Sequence, residues 1–170
     1  MNEPFIFCSG EPIDHLSFNL SRNEEPPDLS VHDYQALTEF RHQLRNFLAF
    51  SEQAARAVGL EPQQHQLLLA LKGFSAQNKV TVSDLAERLK IQHHSTVELL
   101  NRMVERDLVR RSRDERDQRR VLVTLTAHGE EVLHRLSLLH RTELRSTGPD
   151  LVRTLQTIIG ESFLHKMAKE

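Results

Sequence analysis

The stretch from Val80 to Thr126, VTVSDLAERLKIQHHSTVELLNRMVERDLVRRSRDERDQRRVLVTLT, admits few folds. Thr81 and Asp84 make a capping-box-like start, T-x-x-D, and Leu85, Ala86 and Leu89 follow on one helical face. After Lys90 and Ile91 the apolar positions resume at Val97, Leu100, Val104 and Leu108, again at helical spacing, which leaves His93, His94, Ser95, Glu98 and Arg102 on the outer side. Leu108–Ser112 and Arg120–Leu125 carry β-branched residues and pair best as an antiparallel hairpin. The spacing therefore predicts a mainly α chain with a small β-wing, in which two short helices precede a ribbon whose loop is crowded with arginine.

Such an order of elements suits duplex DNA. A helix fits the major groove, where each base pair shows its own donor and acceptor pattern, while a ribbon reaches a flanking minor groove or phosphates. Between Arg102 and Arg120 stand eight arginines against five acidic residues, in a chain whose formal net charge is -2. Arginine matches that place because its planar fork binds phosphate bidentately or enters a narrow minor groove. The plainer reading of RSRDERDQRR, a solvated turn laced with i,i+4 pairs, stays open on composition alone.

In LAERL of the first helix, STVELLNRMVERDLV of the second, the D-x-R of Asp117-Gln118-Arg119 and above all VLVTLTAHG, Val121 to Gly129, the span resembles the winged helix-turn-helix of the MarR (multiple antibiotic resistance regulator) family. With the flanking helices the resemblance covers about Val31 to Met167. Asp107 stands where that family commonly has glycine, and aspartate tolerates the left-handed conformation better than most other residues. The resemblance implies a sequence-specific DNA-binding transcriptional regulator, a repressor, working as an intertwined homodimer built from the first and the last two helices. It also implies that Arg119 enters the minor groove while Asp117 steadies a basic side chain. A small, often aromatic and anionic, effector would sit between the dimer helices and the reading head.

The flanks fit a two-lobed subunit. Residues 1–30 form an acidic, proline-containing extension that is expected to lie across the dimer lobe. Seven acids precede Tyr34 against the single base Arg22, so this part carries -6 and the remainder +4. From Val31 to Val58 the positions Tyr34, Leu37, Phe40, Leu44, Phe47, Leu48, Ala54, Ala55 and Val58 keep helical period, and Gly59 ends the run. Pro62 opens a helix buried through Leu67 to Leu71 and Phe74, so residues 62–126 make the DNA-binding lobe. Thr126 caps a further helix through Val132, Leu133, Leu136, Leu139 and Leu144 to about Arg145. Gly148-Pro149 is expected to break it, and a last helix runs from Leu151 to Met167 with Gly160 as a weak point. Residues 31–58 and 127–168 thus read as dimerisation helices, with more apolar face than one reading head can cover. A twofold copy would also set two recognition helices about one DNA turn apart, over a palindromic operator.

Other functions find little support. Six scattered glycines offer no phosphate-cradling loop, and no hydrolase or metalloprotease motif is present, so neither catalytic residues nor a cofactor are expected. Ten histidines invite a metal, but His93 and His94 are adjacent and His134 and His140 are six apart, both poor ligand spacings. No apolar run can span a bilayer and no leader pattern is visible, so a cytoplasmic protein is expected. The single cysteine, Cys8, excludes an internal disulfide; it reads as an incidental thiol, with peroxide sensing the alternative.

Base-edge reading falls to Gln92, His93, His94, Ser95 and Thr96, with Arg102 on base or backbone, although Ser95 or Thr96 could instead cap the helix. Wing contacts fall to Arg113, Arg116, Arg119 and Arg120. For an anionic effector, Arg41, His42, Arg45 and His65 among Phe40, Phe47 and Leu68 offer cationic donors in an apolar setting. The rival from another class is a winged helix that serves as a protein-interaction scaffold or binds RNA.

Overall fold

The computed structural model describes residues 29–75, 79–115 and 117–160; the extension with Cys8, the wing's Arg116 and the segment Phe163 to Met167 lie outside the described residues. Helix α1, Val31–Ala57, begins with a reciprocal box in which the Ser30 hydroxyl accepts the Asp33 N–H and the Asp33 carboxylate accepts the Ser30 N–H. It ends at Gly59, whose φ of +75° turns the chain into α2, Pro62–Ser75. Proline at the first position of α2 loses no hydrogen bond, because that N–H has no partner within a helix.

Helix α3, Val82–Leu89, starts with the expected Thr81–Asp84 box and leaves through Lys90 in the left-handed region. Helix α4, His93–Glu105, leaves through Asp107 at φ 53°, where Leu108 N–H returns to the Met103 carbonyl at 2.9 Å. Strands β1, Val109–Arg113, and β2, Val121–Leu125, pair antiparallel, with Val109 opposite Leu125 and Arg113 opposite Val121. One feature exceeds the two-stranded ribbon read from the sequence: Thr81 bridges Leu122, and Val123 N–H donates to the Val80 carbonyl at 2.9 Å. The wing is thereby pinned to the start of α3.

One apolar core joins these elements. Leu67, Leu68 and Leu71 of α2, Leu85 of α3, Leu99, Leu100 and Met103 of α4, Leu108 and Val109 at the wing base, Val123 of β2 and Leu136 of the last helix are all essentially sealed from solvent. Each such side chain contributes about 1.5–3 kcal/mol of burial. On α4 the buried stripe is Thr96, Leu99, Leu100 and Met103; of the expected Val97, Leu100, Val104 and Leu108, Leu100 and Leu108 are buried, Val97 packs half-buried against the core, and Val104 is exposed. Both sets keep helical period and share Leu100. The observed phase became possible because the Thr96 hydroxyl donates to the Gln92 carbonyl at 3.1 Å, which lets a polar residue be buried.

The second departure is larger. Instead of two helices broken at Gly148-Pro149, a single helix α5 runs Ala127–Ile159, with Pro149 inside it. A proline removes one bond, to the Arg145 carbonyl, on a stretch exposed to water that can solvate that oxygen. The apolar row stays in phase across the site, since Leu144 and Leu151 lie seven residues apart. The helix stops instead at Gly160, φ +73°, which is an end and not an interior weak point. Among the described residues no helix is long and apolar enough to cross a membrane.

Candidate nucleic-acid interface

Burying Thr96, Leu99, Leu100 and Met103 leaves the opposite face of α4 to solvent. Gln92, His93, His94 and Arg102 are exposed there and Ser95 is half-buried. Thr96 has to be removed from the base-reading set: it is 0% exposed and its hydroxyl is spent on Gln92. Gln92 occupies the N-cap position but makes no side-chain capping bond, so its amide is not committed to the helix start.

The wing is shaped by acids. Asp114 is buried at the end of β1, pairs with Lys79 at 3.1 Å, and donates its backbone N–H to the Arg120 carbonyl at 3.0 Å. Asp117 closes the tip: its carboxylate accepts the Arg119 N–H at 3.1 Å and its carbonyl the Arg120 N–H at 2.9 Å. Here Asp117 fixes the backbone that presents Arg119, beside the role toward a basic side chain that the resemblance implies. Arg113, Arg119 and Arg120 are exposed. Arg120 also lines a cavity of about 990 Å³ between α3 and the wing with Asp84, Asp114 and Asp117. Hydrogen bonds from Thr81, and secondarily the Arg120 charge, hold the Asp84 carboxyl below its ordinary value.

Sequence reading missed the residues that set these two surfaces relative to each other. Arg111 Nη2 donates to the Val97 carbonyl at 3.1 Å and to Asn101 Oδ1 at 2.8 Å, so β1 is tied directly to α4. A signal was present: Arg111 shares the inward face of β1 with Val109, and a strand alternates faces. Arg110, on the other face, donates to Thr124 Oγ1 at 3.1 Å across the ribbon.

The cationic cluster proposed for an effector does not assemble in the chain. Arg41, His42 and Arg45 are exposed on α1, and His42 bonds Asn46 at 3.0 Å. Only His65, 3% exposed, borders an apolar cavity of about 380 Å³, with Phe47, Leu69, Ser137, His140, Arg141, Leu144 and Arg145. The arginines of that cavity come from α5. One helical phase on α1 faces α5 and the other does not, and spacing on α1 alone could not show which.

Residues 58–120 match the family model described as MarR family. Over 79 residues the chain is 38% identical to the transcriptional activatory protein BadR of Rhodopseudomonas palustris, an alignment covering 46% of this chain and 45% of that one, so the chain spans about half the length of this curated relative. The fold matches AbsC, a MarR family transcriptional regulator from Streptomyces coelicolor, with a TM-score of 0.62 at 20% identity, over 85% of this chain and 100% of that chain. It likewise matches S. aureus MepR in a DNA complex, with a TM-score of 0.53 at 20% identity, over 76% of this chain and 86% of that chain. Residues 58–120 thus resemble the MarR family in sequence, and the flanking helices complete the fold seen in AbsC and MepR.

Proposed function

We propose that the chain is a sequence-specific DNA-binding transcriptional regulator, with α4 in the major groove and the wing arginines on the adjacent minor groove and phosphates. The observation that carries this reading is the lock between the two surfaces: Arg111 joins the wing to α4, so the exposed Gln92, His93 and His94 and the exposed Arg113, Arg119 and Arg120 act as one rigid reader. Family members are transcription regulators and not enzymes, and a relative of the same fold is known in complex with DNA. A binding-site selection from random duplexes should enrich one palindromic motif; enrichment of none overturns the reading.

The working unit in this proposal is a homodimer. Tyr34, Leu37, Leu44 and Leu48 of α1 and Leu138, Leu139, Leu144, Val152, Ile158 and Ile159 of α5 remain exposed on one subunit, an apolar surface a second copy would cover. A dimer seated on a palindrome excludes polymerase, so repression is the proposed outcome. Release would come from an aromatic anion in the cavity at His65, with Arg141 and Arg145 as its cationic partners. The relative's name speaks of activation, and the same reader activates where its operator lies upstream of a promoter.

A further inference from the structure

The recognition helix is held by apolar contacts that resist separation but set no direction along its axis. Two arginines supply direction. Arg111 ties α4 to the wing. Arg106, the C-cap residue of α4, reaches the other way: its Nη1 donates to Gln64 Oε1 at 2.9 Å and its Nη2 to the Gly59 carbonyl at 2.7 Å. Both acceptors belong to the joint between α1 and α2. Gly59 is the left-handed residue that ends the α1 run, and Gln64 is 3% exposed in the first turn of α2, its Oε1 also accepting the Glu61 N–H at 3.1 Å. The next residue, His65, stacks on His140 of α5. One turn of α2 therefore touches the recognition helix through Gln64 and the long helix through His65.

We propose that Arg106 is a positioning residue for DNA reading, a clamp that fixes the recognition helix to the α1–α2 joint and so sets the spacing of the two half-sites a dimer accepts. The inference rests on the DNA-binding reading above. Its chemistry is specific to arginine: two acceptors on different segments are bridged by one planar fork, whereas a lysine ammonium brings the charge without the fork.

The experiment compares wild type, Arg106→Gln and Arg106→Lys on the selected palindrome and on versions with one or two base pairs inserted or removed at its centre. The clamp predicts that both variants bind the preferred spacing about tenfold more weakly, lose most of the discrimination between spacings, and keep the wild-type salt slope. A phosphate contact instead predicts that lysine restores affinity while glutamine lowers the salt slope by about one, and that result overturns the clamp. So does wild-type spacing preference in both variants.

A DNA-free arm separates the clamp from the DNA reading. Nitroxide labels on Gln53→Cys and Glu98→Cys, in a Cys8→Ser chain diluted with unlabelled protein, report the α1 to α4 distance. The distribution should broaden in both Arg106 variants; an unchanged distribution overturns the clamp even if no duplex binds wild type.

Discussion

His65 of α2 and His140 of α5 lie ring against ring, centroids 4.7 Å apart, and the Phe47 and Phe50 rings meet His140 at steep angles of 83° and 69°. His140 Nδ1 sits 2.7 Å from the Leu136 carbonyl, a donor's position, so in the neutral ring Nε2 accepts the Ser51 hydroxyl at 2.8 Å. Burial, and secondarily the neighbouring His140, push the His65 imidazole down to about 4. Its folded value is below its unfolded value, so between the two the unfolded chain binds a proton that the folded chain refuses. Stability is then full above pH 6.5 and declines as the pH falls toward 4, by about 2 kcal/mol at pH 5. Urea melts at pH 7.5 and 5 should show that difference, and His65→Phe should remove most of it.

Gly129 is required by space. It is buried in the first turn of α5, where a Cβ would stand 2.0 Å from the Leu108 carbonyl oxygen, a backbone atom that cannot step aside. Gly129→Ala should cost about 3 kcal/mol or more, read as a lowered denaturation midpoint. Gly73→Ala, in α2 with nothing within 4 Å of the added carbon, should be neutral or stabilise by up to about 1 kcal/mol.

Pro149→Ala tests the continuity of α5. Inside an unbroken helix the change restores a bond to the Arg145 carbonyl and relieves the ring, which raises stability by about 3 kcal/mol. If residues 148 and 149 formed a turn between two helices, the same change would leave stability level or lower it by freeing the unfolded chain.

The cavity at His65 assigns its cations to α5. Benzoate-like carboxylates should raise the melting temperature and release the protein from DNA, since a ligand shifts an equilibrium only through its different affinity for two states. Arg141→Gln with Arg145→Gln should abolish both effects, while Arg41→Gln with Arg45→Gln should spare them. The opposite pattern would move the binding place to the exposed face of α1.

What could be read from the chain alone follows where local chemistry decides. Thr81 with Asp84 announces one helix start and Thr126 another, and the Val121-to-Gly129 phrase carries strand and helix together. Asp107 took the left-handed place its chemistry allows. The misses lie where distant partners decide. Thr96 looked outward because hydroxyls usually do, yet an i to i-4 bond let it go inside. Pro149 looked like a break because its cost is local, whereas the phase that Leu144 and Leu151 keep across it shows only over a longer span. Gln64 and Arg106 stand 42 residues apart, and nothing in either neighbourhood announces the pair.

In the proposed function α4 and the wing bind duplex DNA as one surface. Its most direct test is the affinity of the intact protein for a labelled palindromic duplex, measured by anisotropy from 50 to 200 mM salt with wild type, Arg119→Ala and Ser95→Ala. The expected result is a steep fall of log affinity with log salt, a loss for Arg119→Ala that is similar on selected and random duplexes, and an altered base preference for Ser95→Ala. No binding at 50 mM salt, or binding that salt and Arg119→Ala leave unchanged, would contradict it.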